Sequence, residues 1–233
     1  NVICDADRAR RRGITSTLLF PSGNLAPEGS VVKATAIDST LVNSDNVYEH
    51  RGRARVFVSE SRAIQAIKAG EVEAGDVLVL IGLGPMGTGM EEIYQITSAL
   101  KFLPRGKEIT ILTDGRFSGV STGPCIGHIG PEALAGGPLG RVRDGDLIQV
   151  RIDRRRLEGS LDLIGVPGEE FSSEEGAKRL KSRPTHPDLT ARSDLPADTR
   201  LWAQLQQISG GVWKGAVYDV EAIVEALQRS RSL

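Results

Sequence analysis

The apolar residues of this chain change their spacing repeatedly between every second position and every third or fourth position. A period of 2 is typical of a β-strand and a period of 3.6 of an amphipathic helix. Residues 76–81 are almost wholly apolar and predict a buried strand, and apolar residues at helical spacing follow from Met90 to Leu100. These alternating patterns, punctuated by 27 Gly and 11 Pro, predict a mixed α/β domain.

Further segments extend this prediction along the chain. Strands are expected at residues 31–37, 53–59, 108–113 and 147–152, with a hairpin return at 157–163. Helices are expected at residues 61–68, 133–135, 174–181 and 220–228. Residues 166–200 are rich in Pro, Ser, Asp and charged residues and predict an extended surface arm around one helix.

Composition excludes several classes of protein. The 233 residues carry 29 Lys and Arg against 30 Asp and Glu, which leaves no global positive field for nucleic acid. The longest apolar stretch, residues 77–83, is far shorter than the roughly 20 residues of a membrane span. Residues 1–12 do not resemble a secretory signal, and without an initiator Met a preceding segment is expected.

Cys4 and Cys125 are the only two cysteines of the sequence. They are far apart and share no CxxC spacing, so a disulfide framework, a zinc knuckle and an iron–sulfur cluster built from this chain are all disfavoured. Such sparse cysteine usage predicts a reducing, cytoplasmic compartment.

A glycine-rich turn at residues 82–89 follows the apolar strand. Its letters match GxGxxG, but Pro85 lies inside the turn and no Gly-Lys-Ser/Thr follows, so nucleotide binding is disfavoured. Glu91 and Glu92 are expected in the first turn of the next helix. There they either stabilise the helix dipole or supply one oxygen ligand to Mg²⁺.

Ser118 follows the predicted strand 108–113 within the turn Asp114-Gly-Arg-Phe-Ser-Gly. Ligands of α/β proteins collect at the carboxyl ends of strands, so Ser118 is either a turn residue or a functional hydroxyl. A hydrolase triad is disfavoured, because GxSxG is absent. Only three histidines could serve as its base: His50, His128 and His186.

Several blocks of the sequence together resemble the C-terminal domain of the IlvD/Edd dehydratases, which act on dihydroxy acids, phosphogluconate and sugar acids. The blocks that carry the resemblance lie at residues 23–33, 84–92, 113–119, 127–128, 131–133, 136–137 and 144–146. Further blocks at residues 119–123, 185–189, 198–202 and 209–215 are similar to the D-xylonate dehydratase branch.

The resemblance implies a swivelling β/β/α domain, a closed mixed barrel-like sheet with flanking helices. It divides the chain into a lead-in at residues 1–22, the barrel domain at 23–165 and a C-terminal arm with helices at 166–233. It implies dehydration of a sugar acid such as D-xylonate to a 2-keto-3-deoxy acid. Dihydroxy-acid and phosphogluconate dehydratases of the same family are the alternatives.

The site residues implied by the resemblance are Ser118 as the catalytic base and Glu92 as a Mg²⁺ ligand. Ser121, Thr122 and His128 are candidates for contacts with the substrate. A [2Fe-2S] cluster and the other Mg²⁺ ligands are expected from an N-terminal domain absent from this sequence, in an enzyme that is expected to form homo-oligomers. A non-catalytic module that binds a sugar acid or a partner is the hypothesis from another class.

Overall fold

The computed structural model describes residues 5–12, 17–89 and 91–231 of the chain. Its strands are β1 (Leu18–Leu19), β2 (Gly29–Lys33), β3 (Val47–Phe57), β4 (Val77–Leu80), β5 (Glu92–Ile93), β6 (Thr110–Thr113), β7 (Arg116–Phe117), β8 (Cys125–Gly130), β9 (Leu147–Asp153), β10 (Glu158–Val166) and β11 (Glu169–Glu170). Its α-helices are α1 (Ala6–Arg11), α2 (Glu60–Lys68), α3 (Pro85–Thr88), α4 (Gln95–Leu100), α5 (Ser173–Ser182), α6 (Ala197–Ser209) and α7 (Val220–Arg231).

Nine of the described strands form one curled mixed sheet, in the order β1-β2-β8-β6-β4-β3-β9-β10-β11. Strands β3, β4, β6 and β8 are parallel, and the outer pairs are antiparallel. The mixed α/β prediction is confirmed. The sheet is open between β1 and β11, although the loop after β1 reaches across it, where Ser22 exchanges backbone hydrogen bonds with Gly159 and Leu161 of β10.

Two hydrophobic clusters pack against opposite faces of the parallel strands. Val77 and Val79 of β4 pack into one cluster, while Leu78 and Leu80 pack into the other with α2 and α4. A parallel strand covered on both sides has a continuous apolar sequence, which is why the run at residues 76–81 predicted β4 correctly. Among the described residues no helix is long and apolar enough to cross a membrane.

Several predicted elements differ from the observed ones. Strand β2 ends at Lys33, because residues Ala34–Ala36 form a 3-10 turn. Strand β8 was not predicted, since its glycines hide the alternation of apolar residues. Helix α6 was not predicted either. Residues 166–200 are not an extended arm throughout, because α5 packs on β10 and Leu180 is buried.

The helix expected to begin at Met90 is the clearest error. Residue 90 lies outside the described part of the chain, but Glu92 belongs to strand β5, and α4 begins only at Gln95. Pro85 occupies the first turn of the short helix α3, which ends at Thr88 and is capped by Gly89 with φ of 67°. A left-handed glycine terminates a helix, so the helical period is interrupted at Gly89. Glu91 and Glu92 therefore do not lie in the first turn of a helix.

Candidate active site

The loops after β4, β6 and β8 meet at the carboxyl edge of the parallel strands, and the carboxylate of Asp114 joins them. Asp114 is fully buried and accepts hydrogen bonds from the backbone N–H groups of Gly82 (3.0 Å), Leu83 (2.9 Å) and Ala133 (2.9 Å). Burial raises the pKa of Asp114, and these hydrogen bonds oppose that shift. One side chain thus sets the relative positions of three loops.

Glu132 is a second buried carboxyl at the same edge, with 2% of its surface exposed. Its Oε2 accepts a hydrogen bond from the N–H of Met86 at 3.0 Å, and its Oε1 has no partner among the described residues. Burial, followed by the charge of Asp114, raises the pKa of Glu132 to about 8. The Glu132 carboxyl therefore carries its proton at neutral pH, which spares the site a second buried charge.

The raised pKa of Glu132 predicts how stability depends on pH. The pKa rises from 4.5 to about 8 on folding, so the folded state retains a proton that the unfolded chain loses between these values. The free energy of unfolding should therefore fall as pH rises through this window. We expect Glu132→Gln, which keeps the shape but cannot ionise, to flatten that fall when urea unfolding is measured from pH 4.5 to 8.

The exposed Glu158 supplies the control for this measurement. Glu158→Gln should leave the slope of stability against pH unchanged. A Glu132→Gln variant with the wild-type slope would show that Glu132 is not the group that titrates.

Ser118 lies directly after β7, beside the short parallel strand β5. Its N–H donates to the carbonyl of Ile93 at 3.2 Å, and its own carbonyl accepts from the N–H of Ser121 at 3.0 Å. The N–H of Val120 approaches Ser118 Oγ at 3.4 Å, which is too long for a strong hydrogen bond. The half-buried hydroxyl is thus left available for a ligand.

A cavity of about 230 Å³ opens beside the Ser118 hydroxyl. The structure brings three of the predicted site residues together in its wall: Ser118, Ser121 and His128. Thr122 lies apart from them, in the wall of a neighbouring cavity of about 500 Å³. The two cavities share the wall residues Ala36, Gly123 and Cys125.

Lys33 also lines the Ser118 cavity, although the sequence did not single it out as a site residue. It is the last residue of β2, and its Nζ donates to the carbonyl of Gly119 at 2.9 Å. Lys33 and Gly119 are 86 positions apart, so no local pattern could have joined them. The available signal was weaker, namely that a lysine follows the apolar pair Val31 and Val32 at the end of the strand.

His128 occupies its place in the cavity with a left-handed backbone, φ 51°. Its N–H donates to the carbonyl of Gly115 at 2.8 Å, and its carbonyl accepts from Trp213 Nε1 at 3.1 Å. Burial, and then the charge of Arg116, lowers the pKa of His128. A neutral imidazole therefore faces the cavity at neutral pH.

Glu92 lines a different cavity, of about 500 Å³, on the neighbouring strand β5. Its exposed carboxylate has no ion-pair partner among the described residues, whereas Glu91 pairs with Arg192 at 2.6 Å. Glu92 is paired in register with Arg116, two residues before Ser118. The structure thus places Glu92 on β5 and Ser118 directly after the adjacent strand β7, in the walls of separate cavities.

Whether this chain could hold a metal ion or an iron–sulfur cluster depends on the ligands that its described residues provide. They contain no group of three or more His, Cys, Asp or Glu side chains arranged to hold a metal ion. Glu92 alone therefore offers one hard oxygen ligand to Mg²⁺, which prefers about six. Cys125 is a free, buried thiol whose pKa is raised to about 12 by burial, and Cys4 lies outside the described residues. These cysteines do not fit a [2Fe-2S] cluster.

Comparison with known proteins gives a family match over most of the chain. Residues 1–212 match the family model described as "Dihydroxy-acid/6-phosphogluconate dehydratase C-terminal". The chain is 56% identical over 231 residues to the D-xylonate dehydratase YagF of Escherichia coli (strain K12). The aligned residues make up 99% of this chain and 35% of that protein.

Two further relatives show the same pattern of coverage. The D-xylonate dehydratase YjhG of Escherichia coli (strain K12) is 55% identical, over 97% of this chain and 35% of its own length. A dihydroxy-acid dehydratase of Leifsonia xyli subsp. xyli (strain CTCB07) is 45% identical, over 78% of this chain and 30% of its own. The chain thus spans about a third of the length of the curated relatives that it matches.

Proposed function

Because the chain belongs to the dihydroxy-acid and 6-phosphogluconate dehydratase family, as its C-terminal region, we propose that it carries the catalytic base of a sugar-acid dehydratase. The observation that carries this proposal is the placement of Ser118, whose hydroxyl faces a small cavity shared with Lys33, Ser121 and His128. The identity of 55–56% to two D-xylonate dehydratases supports D-xylonate as the substrate.

In the proposed reaction Ser118 Oγ, as the alkoxide, takes the proton from the carbon next to the substrate carboxylate. The electron pair of that C–H bond forms the carbon–carbon double bond, and the C–O bond to the neighbouring hydroxyl breaks. The departing hydroxide takes up the proton that Ser118 Oγ has accepted and leaves as water, which restores the alkoxide. The hydroxyl proton of the resulting enol then moves to the carbon that lost its oxygen, which gives the keto form of a 2-keto-3-deoxy acid. Serine is a weak base, so nearby positive charge or oriented N–H groups must stabilise its anion.

The surroundings of Ser118 supply part of that stabilisation. The Lys33 ammonium is held against the carbonyl of Gly119, the residue next to Ser118. The N–H of Val120 points toward Ser118 Oγ, at a distance that could shorten if the oxygen became negative. His128, neutral at the cavity wall, is suited to hydrogen bonding with a substrate hydroxyl.

Glu92 is proposed as one ligand of a Mg²⁺ ion. Bound Mg²⁺ would supply positive charge that stabilises an enolate as it forms. The other ligands and a [2Fe-2S] cluster are proposed to come from an N-terminal domain, in a cytoplasmic homo-oligomer. The present domain would then be the swivelling β/β/α domain of that enzyme. No step is assigned to the cluster, since the cysteines of this chain do not fit it.

The direct test is turnover by the full polypeptide that contains this chain. With Mg²⁺ present, we expect it to form 2-keto-3-deoxy acid from D-xylonate with a kcat/KM at least tenfold above that for a branched dihydroxy acid or for 6-phosphogluconate. Product would be measured as the 2-keto acid. A preference for either competing substrate would reassign the substrate, and no turnover of any of the three would contradict the proposal.

A further inference from the structure

The exposed apolar side chains of this protein are concentrated near its C-terminus. Of the fifteen large hydrophobic residues that are exposed in the described part of the chain, nine lie within residues 201–227. Single exposed apolar residues are ordinary on a protein surface, whereas a concentration of them is typical of a surface that another molecule covers. Helix α7 carries three of the nine: Val220, Val224 and Leu227.

Helix α7 has two apolar faces. One face is half-buried at Ala222, Ile223 and Ala226, and the main packing partner of α7 among the described elements is α6. The other face is a stripe of residues at intervals of four and three, which align along a helix, and their exposed fractions are 62%, 41% and 60%: Val220, Val224 and Leu227. A helix of 12 residues is marginally stable in water by itself, so packing of both faces would stabilise α7.

Helix α7 lies outside the domain that the family model describes. The family match ends at residue 212, before α7 begins at Val220. The alignments with the two D-xylonate dehydratases cover 97–99% of the chain and so extend into α7. The helix is therefore an addition to the matched domain, and its exposed stripe is separate from the cavity beside Ser118.

The charges of α7 show which partner suits the stripe. Its acidic residues, Glu221 and Glu225, lie in the first half of the helix, and its arginines, Arg229 and Arg231, lie in the second half. Two copies of α7 packed antiparallel would bring the acidic half of each against the basic half of the other and would oppose their helix dipoles. A parallel pair would bring like charges together. The helix is thus complementary to an antiparallel copy of itself.

We propose that the stripe of Val220, Val224 and Leu227 is an interface with a second copy of this chain, in which the two α7 helices pack antiparallel across a two-fold axis. A two-fold axis presents the same surface of both copies to each other, which fits a self-complementary helix. One side of a stable interface contains roughly 20–30 residues, which the segment from α6 to α7, residues 197–231, is long enough to supply.

Crosslinking in the full polypeptide that contains this chain tests the contact and its direction. Val224→Cys, near the middle of α7, should give a covalent dimer with a short bis-maleimide on a denaturing gel. Val220→Cys should not exceed the wild-type background, because antiparallel packing separates its two copies by about 16 Å along the helix axis. Ala222→Cys, on the half-buried face, is the second control and should also stay at the background.

The mass of the assembled wild-type and variant polypeptides, measured by size-exclusion chromatography with light scattering, tests the interface independently. Leu227→Glu should halve that mass, because it places two carboxylates in an apolar contact about the axis. Its circular dichroism should stay that of the wild type, since Leu227 is exposed within the chain. Phe102→Glu is the matched control, because it makes the same kind of change at another exposed apolar residue, and it should keep the wild-type mass.

Several results would overturn the interface. They are a monomeric wild-type polypeptide, an unchanged mass of Leu227→Glu, no crosslinked dimer from Val224→Cys, or equal crosslinking of Val220→Cys and Val224→Cys. A Leu227→Glu variant that keeps its mass but loses stability would show that the stripe packs on another part of the same polypeptide. None of these measurements uses turnover, so failure of the interface and failure of the proposed reaction remain distinguishable.

Discussion

Ser118→Ala should reduce the turnover of D-xylonate by the full polypeptide at least about 1,000-fold, because it removes the oxygen proposed to accept the substrate proton. The change deletes one half-buried atom that makes a single, long hydrogen bond within the described part of the chain, from the N–H of Val120 at 3.4 Å. The backbone hydrogen bonds that hold residue 118 remain. We therefore expect the free energy of unfolding to change by less than about 0.5 kcal/mol.

Two measurements make this result specific to catalysis. D-xylonate should still bind to Ser118→Ala within about tenfold of the wild-type affinity, since the substitution removes one oxygen and leaves the other residues of the cavity wall in place. Ser44→Ala, at an exposed position away from the cavity, should keep both turnover and stability. Turnover by Ser118→Ala within tenfold of the wild-type rate would eliminate Ser118 as the base.

Asp114→Ala should lower the free energy of unfolding by about 3–5 kcal/mol, the largest effect on stability that we expect at this edge of the sheet. The substitution leaves the N–H groups of Gly82, Leu83 and Ala133 buried without their acceptor. Three loops lose their common anchor at once. Urea unfolding followed by circular dichroism at pH 7 measures the change.

A graded pair of variants separates hydrogen bonding from volume. Asp114→Asn keeps the size of the side chain and one acceptor oxygen, but it turns an N–H₂ group toward a backbone donor, so its loss should be smaller than that of Asp114→Ala. Asp45→Ala, at an exposed position, should change stability by less than about 0.5 kcal/mol. Equal stability of Asp114→Ala and the wild type would refute the anchoring role.

The elements that could be predicted from the sequence are those whose pattern is local. Strand β4 was recognisable because both of its faces are buried, which requires a continuous apolar run. Helix α5 was recognisable because Ser172 caps its N-terminus, accepting from the N–H of Glu175, and acidic residues follow in the first turn. In both elements the signal lies within about ten consecutive residues.

Strand β8 shows why other elements could not be predicted. Its pairing with β6 and β2 and the packing of Trp213 on Gly130 come from distant parts of the chain. A Cβ at residue 130 would overlap the Trp213 ring. Gly130, one of the glycines that interrupt the apolar pattern of this strand, is therefore required by its contact with a residue 83 positions later in the sequence. The position of Glu92 was wrong for a related reason, since α3 and its terminating Gly89 interrupt the apparent helical period.

The sequence by itself determined the α/β class and the family, and it placed Ser118 in a turn after a buried strand. The tertiary structure alone decided which residues surround that hydroxyl. It placed Lys33 and Ser121 in the wall of the same cavity as Ser118, and Thr122 in the wall of the neighbouring cavity. It placed Glu92 on β5, the strand paired with β7. The physical reason is the order of the strands, because β2, β8 and β6 become neighbours only when long-range hydrogen bonds form across the sheet.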